Sequence, residues 1–296
     1  MQLALLQTIR FLFEHPLSSQ RPVDALVRYM RWQLGSRLSP GPVVVDFADD
    51  ARLLVRPGMA GATGNVYTGL HEYEDMAFML HSLRPDDLFV DVGANVGSYT
   101  VLAAKVAGAR VVAFEPIGST FRALSDNIAL NGILGRVDAR RECVGRARGV
   151  VRMSSNLDTI NHVVVDGANG GSSVEVPLVC LDEALDATPF LVKLDVEGYE
   201  LEALRGAERL LADQALKALI VEVNSSGERY SRPDAELFRL LEQHGFALYD
   251  YQPRERRLVP ATAARARINH LYLRDASQIQ ERVRTAKKIH VLGQEI

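Results

Sequence analysis

The chain has 296 residues, 47% hydrophobic and 24% charged, enough for one large domain with an appendage. Its 34 Lys and Arg against 37 Asp and Glu leave a net charge of −3, which gives no electrostatic reason to expect a nucleic-acid partner. Two cysteines, Cys143 and Cys180, form neither a disulfide framework nor a metal-type spacing, so a reducing, cytoplasmic setting is expected.

The apolar run Leu3–Phe13 is interrupted by Gln7 and Arg10, lacks a basic segment before it and is too short to cross a bilayer, so no transmembrane segment is expected. Residues 2–34 read as one or two helices broken around His15–Ser19. Their apolar residues (Leu3, Leu6, Phe13, Leu26, Val27, Met30, Leu34) are expected to pack on the main domain, with a homodimer partner or a membrane surface as the other occupants. Val43–Phe47 and Arg52–Arg56 flank Ala48–Ala51 as a β-hairpin. A glycine-rich passage, Pro57–Gly69, then leads to a helix near Glu72–Leu83.

From Asp87 strands and helices alternate. Strands fall near 88–92, 110–115, 137–143, 190–196 and 218–224, and helices near 98–107, 118–131, 199–211 and 233–244. This alternation predicts an α/β fold with a parallel sheet and right-handed crossovers. Two further strands, near 150–153 and 175–181, flank an Asn/Gly/Ser-rich loop carrying His162, of the kind that covers substrate sites. Phe246–Tyr251 and Asn269–Arg274 are expected as an antiparallel pair at the sheet edge, with the irregular basic stretch Arg254–Arg267 between them. The tail from Ser277 has helical spacing and a basic surface. Three regions result: 1–70, an N-terminal helical and hairpin extension; 71–275, the main domain; and 276–296, a basic helix or tail.

The segment Leu88–Thr100 carries the strongest signal. An apolar strand ends in Asp91, and Gly93 and Gly97 then open a helix whose first amides face the turn. The dinucleotide pattern G-x-G-x-x-G fails, because Asn95 and Ser98 stand at its second and third positions. A P-loop fails too, for no Lys-Ser/Thr pair follows the glycines. A carboxylate at this strand end suits a ligand bearing positive charge, such as the ammonium and sulfonium of S-adenosylmethionine. The next strand ends in Glu115-Pro116, where a carboxylate can accept both hydroxyls of a ribose.

Asp91–Gly97, Phe114-Glu115-Pro116, Asn127, Leu130-Asn131-Gly132, Leu181-Asp182 and Lys193–Glu200 stand in the order found in FkbM-type methyltransferases, which the chain resembles over roughly residues 72–250. The resemblance implies a three-layer αβα, Rossmann-like class I methyltransferase fold. Its sheet would have seven mostly parallel strands with one antiparallel edge strand, beside the N-terminal helices and hairpin. It also implies S-adenosylmethionine as cofactor and O-methylation of a sugar, glycolipid or secondary-metabolite hydroxyl. Asp91, Gly93, Asn95 and Gly97 would form the methionine-side loop, Glu115 with Pro116 would meet the ribose, and Glu142 and Cys143 would approach the adenine by position.

Chemistry is expected at the carboxyl ends of the fourth and fifth strands, where Asp195, Glu197, Glu222 and Asn224 gather. Asp195 is the first choice for general base or substrate anchor and also borders the cofactor; Glu197 is second, and His162 is a loop candidate. The resemblance requires no metal. A Mg²⁺-dependent, catechol-type mechanism is the alternative, with Asp195, Glu222 and Asn224 as oxygen ligands. A catalytically silent fold that binds a partner through its N-terminal helices and basic tail is the reading from another class. Asp182, Asp186, Glu200 and Glu202 read as helix-start and surface charges.

Overall fold

The computed structural model describes residues 2–38, 41–154, 173–223, 234–261 and 268–296. Helix α1 (Gln2–Glu14) and helix α2 (Pro22–Leu38) open the chain, followed by the hairpin β1 (Val43–Asp46) and β2 (Arg52–Val55). The glycine-rich passage, to which no element was assigned from sequence, folds as helix α3 (Ala60–Thr68), and α4 (Tyr73–Ser82) follows where a helix was expected. Gly61 and Gly64 sit inside α3, and at Gly64 a Cβ would lie 2.4 Å from His71 Nδ1. Close packing thus overrides the weak helix propensity of glycine.

The Rossmann-like alternation begins with β3 (Leu88–Val92), α5 (Ser98–Val101, continuing as π-helical turns to Ala107), β4 (Arg110–Phe114), α6 (Gly118–Leu130) and β5 (Val137–Arg140). A side sheet follows, made of β6 (Cys143–Val144), β7 (Gly149–Ser154) and β8 (Ser173–Val179) in the order β6-β8-β7. The main sheet resumes through α7 (Leu181–Ala184), β9 (Leu191–Leu194), α8 (Glu200–Arg205), α9 (Glu208–Ala212), β10 (Ala218–Glu222), α10 (Asp234–Gln243), β11 (Ala247–Gln252), β12 (Arg257–Pro260) and β13 (Asn269–Leu273). Helix α11 (Ala276–Arg284) and a small hairpin, β14 (His290–Val291) and β15 (Gln294–Glu295), end the chain.

The main sheet has eight strands rather than seven, in the order β12-β11-β13-β10-β9-β3-β4-β5. Strands β5, β4, β3, β9 and β10 run parallel. The antiparallel strand β13 is not at the edge: it inserts between β10 and β11, and the edge is β12, formed by part of the stretch expected to be irregular. The cause lies in β13 itself. Its backbone is paired on both sides, with β10 and with β11, and all five residues of Asn269–Leu273 are buried.

Two apolar clusters lie on the sheet's opposite faces. One joins Val90, Val92, Val192 and Leu219 to helices α8, α9 and α10. The other joins Phe89, Leu191 and Ile220 to α4 and α5, and it also takes in Leu12, Leu17 and Trp32 from the N-terminal helices and Ile279, Val283, Ile289 and Val291 from residues 276–296. The helical spacing read from residue 277 onward is met by α11, and Ile279, Val283 and Ile289 anchor residues 276–296 to the main domain. No helix among the described residues is long and apolar enough to cross a membrane.

Candidate active site

The parallel register sets Asp91 of β3 beside Lys193 of β9, so their side chains share one face of the sheet. The backbone N–H of Asp195 donates to Val92 O at 3.0 Å, extending this pairing one residue beyond β9. At this point a Cβ on Gly93 would stand 1.8 Å from Asp195 O. Glycine is needed there because two strand ends cross almost in contact, as well as for the turn (φ +79°). Gly97 (φ +90°) makes the second turn and packs on Leu124 without reaching the cavity. Asn95 adopts a left-handed conformation, which Asn tolerates better than most residues.

The cavity at these strand ends is lined by Asp91, Gly93, Asn95, Glu115, Pro116, Glu142, Cys143, Asp195, Glu197 and Glu222. The residues proposed for cofactor binding, Gly97 excepted, are thus brought together with the acidic cluster. His162 and Asn224 lie outside the described residues. Cys143 is buried, and burial pushes its thiol up to about 12, so it serves as an unreactive wall.

Asp91 is 1% exposed and accepts the Thr100 hydroxyl on Oδ2 at 2.6 Å, leaving Oδ1 buried and without a partner. A buried carboxylate oxygen of this kind calls for a donor. Burial raises the Asp91 pKa, and Lys193 opposes the shift. Glu115 accepts the Asn95 N–H at 3.1 Å and the Ile117 N–H at 2.8 Å, tying the glycine loop to the end of β4. Each oxygen keeps a lone pair for a hydroxyl. Burial lifts this carboxyl to about 7 against those two amides.

Lys193 is the main residue the sequence reading left without a role. It is 3% exposed, its Nζ lies 2.6 Å from Asp195 Oδ2 and 4.7 Å from the centroid of the Tyr99 ring. Burial would lower its pKa, but Asp195, Glu72 and Asp91 together hold it above the ordinary value. In turn, burial would raise Asp195, yet the Lys193 ammonium holds it below the usual carboxylate range. Glu222 goes the other way: burial and the Asp195 charge push it up to about 10, so it is a neutral acid beside an ionised one. The signal was in the sequence, since a lysine within the apolar strand Leu191–Leu194 must be paired to be buried.

The segment 61–76 supplies the opposite wall through Gly61, Ala62, Asn65, His71, Glu72 and Met76. Burial lowers the His71 pKa, favouring a neutral imidazole, and its Nδ1 has no partner. Glu72 accepts Asn269 Nδ2 at 2.8 Å, which links α4 to β13. These residues precede any recognisable motif, and only the fold carries them to the cavity.

Other acidic residues are structural. Glu200 and Glu202 are 6% and 7% exposed rather than surface charges. Glu200 Oε1 accepts the Val196 and Gly198 amides at 3.0 and 3.2 Å, fixing the loop in which Glu197 takes φ +54°. Asp182 caps α9, accepting the Arg209 and Leu210 amides at 2.7 and 3.0 Å. Asp195, Glu197 and Glu222 each offer an oxygen within 4.8 Å of the others. Two of the three residues expected as metal ligands, Asp195 and Glu222, are in this trio together with Glu197; the third, Asn224, lies outside the described residues.

Residues 91–248 match the methyltransferase FkbM domain. The hexuronic acid methyltransferase AglP of Haloferax volcanii is 28% identical over 158 residues, covering 52% of this chain and 63% of that protein. The 31-O-demethyl-FK506 methyltransferase FkbM of Streptomyces tacrolimicus is 27% identical over 215 residues, covering 60% and 79%. A crystal structure of methyltransferase FkbM from Methylobacillus flagellatus aligns with TM-score 0.45 at 18% identity, covering 71% of this chain and 52% of that one. The chain thus spans under two thirds of the length of AglP and about half of that solved chain. With more than half of its residues matched, the chain belongs to the FkbM methyltransferase domain family.

Proposed function

We propose that the chain moves a methyl group from S-adenosylmethionine to a hydroxyl of a small molecule, a sugar or secondary metabolite, by in-line displacement. One observation carries this reading: a single cavity joins the Asp91–Asn95 loop and Glu115 to the acidic cluster of Asp195, Glu197 and Glu222. Its wall has seven carboxyl side chains (Glu72 and Glu142 completing the set) and one lysine, which suits a cationic ligand and opposes a pyrophosphate. The unpartnered Asp91 Oδ1 and the open lone pairs of Glu115 fit an ammonium and a ribose.

When bound, S-adenosylmethionine supplies a methyl carbon on a positively charged sulfur. Asp91 and Asn95 would hold its methionine end, Glu115 its ribose, and Glu142 with Cys143 would flank its adenine. Asp195 then serves as the anchor that accepts the hydroxyl of the acceptor and takes its proton as the new bond forms. Lys193 on one side and the Glu222 proton on the other fix the carboxylate's orientation. Alignment of the hydroxyl is the larger part of this chemistry. Glu197 is the second proton acceptor in reach of the cavity, and the neutral His71 a third.

The carboxylate trio supports a second reading, in which a divalent cation acidifies the hydroxyl. Binding would expel the Glu222 proton and compete with Lys193 for Asp195. The two buried free thiols suit a reducing compartment. Residues 71–275 read as the catalytic unit, with 1–70 and 276–296 as extensions packed on it.

Labelled methyl transfer into candidate sugars and metabolite extracts, with and without Mg²⁺ and chelator, tests both readings. Asp91→Asn should weaken S-adenosylmethionine binding at least ~10-fold with the melting temperature little changed, since a charged hydrogen bond is worth roughly 1.5–3 kcal/mol. Asp195→Asn should slow turnover by about 10²-fold or more. Undiminished cofactor binding in both Asp91→Asn and Glu115→Gln would sink the first reading.

A further inference from the structure

The N-terminal helices turn an apolar face to solvent. Seven of the eleven exposed large hydrophobic residues among those described fall in residues 13–38: Phe13 and, on α2, Val23, Leu26, Val27, Met30, Leu34 and Leu38. At 3.6 residues per turn the six on α2 lie within an arc of about 120°. Ala25 and Trp32 are buried on the opposite side of the same helix. The usual polarity of a surface helix is therefore inverted on its outer face. Leu34 is 57% exposed and Leu38 85%, so the stripe is not the margin of a buried contact.

The charges around the stripe are mainly basic, with Asp24 as the acidic residue of α2. Residues 1–38 hold Arg10, Arg21, Arg28, Arg31 and Arg37 against Glu14 and Asp24, a net +3 in a chain whose total is −3. Arg31 and Arg37 are exposed: Arg31 lies just outside the arc, beside Leu38, and Arg37 falls within it, between Leu26 and Met30. Arg28 instead donates inward to Tyr67 O at 2.9 Å, and Arg10 pairs with Glu14 at 2.7 Å. An apolar stripe that carries Arg37 and is bordered by Arg31 matches a surface that is apolar within and anionic at its rim, because a long arginine side chain can lie along the apolar face and reach the rim with its head. Pairing with a second copy about a two-fold axis would instead bring like arginine sets together, which is unfavourable.

We propose that α2, with Phe13 of α1, docks this protein on an anionic lipid bilayer, lying in the interface rather than crossing it. The docked helix is one helix from the cavity. Arg28 and Gln33 of α2 hold Tyr67 of α3, and α3 contributes Gly61, Ala62 and Asn65 to the cavity wall. Docking thus sets a wall of the cavity close to lipid, where a membrane-borne hydroxyl acceptor would be met. The docking itself does not depend on the chemistry assigned to the cavity.

Vesicle sedimentation with the full chain tests this, using phosphatidylcholine alone and phosphatidylcholine with 30% phosphatidylglycerol. The wild type should bind the anionic vesicles, with affinity falling as salt rises. Arg31→Glu/Arg37→Glu should weaken binding at least ~20-fold, from about fivefold per arginine. Met30→Glu/Leu34→Glu should abolish it, while the melting temperature and S-adenosylmethionine binding of both variants stay at wild-type values. Light scattering on the same samples reads the oligomeric state. Absence of wild-type binding to either vesicle overturns the proposal. So does a wild-type dimer that Met30→Glu/Leu34→Glu converts to monomer, because the stripe is then an interface between copies.

Discussion

Lys193 shows how one buried charge organises a site. Its ammonium faces Asp195 at 2.6 Å and is drawn also towards Glu72 and Asp91, so three elements are held by one side chain. Lys193→Met should cost about 3–5 kcal/mol of stability, because removing one partner of a buried pair strands the others; chemical denaturation measures it. Glu115 and Glu200, each raised to about 7 from 4.5 by burial, set a second expectation. The folded chain holds protons that the unfolded chain has lost between pH 4.5 and 7. Their contribution is therefore full below about 4.5 and declines as pH rises to about 7, by roughly 3 kcal/mol per group. If the ionised Glu115 carboxylate receives the ribose, cofactor affinity should rise from pH 6 to 8, a trend that Glu115→Gln flattens in titration calorimetry. Asp91, Glu115 and Asp195 were legible in the sequence because each ends an apolar strand. His71 and Glu72 were not, since nothing local marks a residue that tertiary packing carries to a cavity.

Among the elements, α6 has a task its motif does not announce. Asn127 accepts the Leu54 amide at 2.6 Å and donates to Val96 O at 2.9 Å, while Asn131 pairs with both the amide and the carbonyl of Arg52 at 2.8 Å. The two asparagines act as a mock strand along β2, and Asn127 also pins the loop that follows Gly93. Asn127→Ala should destabilise by about 1–3 kcal/mol through the unpaired groups it leaves. It should also loosen S-adenosylmethionine binding, which separates it from an ordinary core substitution. The alternation of strands and helices was readable from its periodicity. The place of β13 was not, because strand order depends on which strand edges pair rather than on chain order, and β12 is too short to stand out beside its arginines.

At the scale of the whole molecule, the segments before and after the main domain meet on one face. The Gln294 side chain donates to Leu17 O at 2.9 Å, the Asp49 amide donates to His290 O at 2.8 Å, and Arg84 reaches Arg282 O at 2.6 Å. The spacing of Ile279, Val283 and Ile289 marked a surface helix but not its partners; these residues join the cluster that holds α4 and α5, while Arg282 stacks on Phe190 and pairs with Asp87. Deleting residues 276–296 should lower the melting temperature and weaken cofactor binding, although none of the deleted residues lines the cavity.

The clamp on α4 also imposes an order in time. Helix α4 begins just after Glu72, carries Met76 to the cavity, and rests against α11, with Arg282 bonded to Asp87 at 2.7 Å. Residues 276–296 leave the ribosome after every residue of that cavity has already emerged. A nascent chain stalled before Ala276 should therefore carry the whole set of cofactor contacts in sequence yet fail to retain S-adenosylmethionine. Competence would then arrive late in synthesis, as a single event.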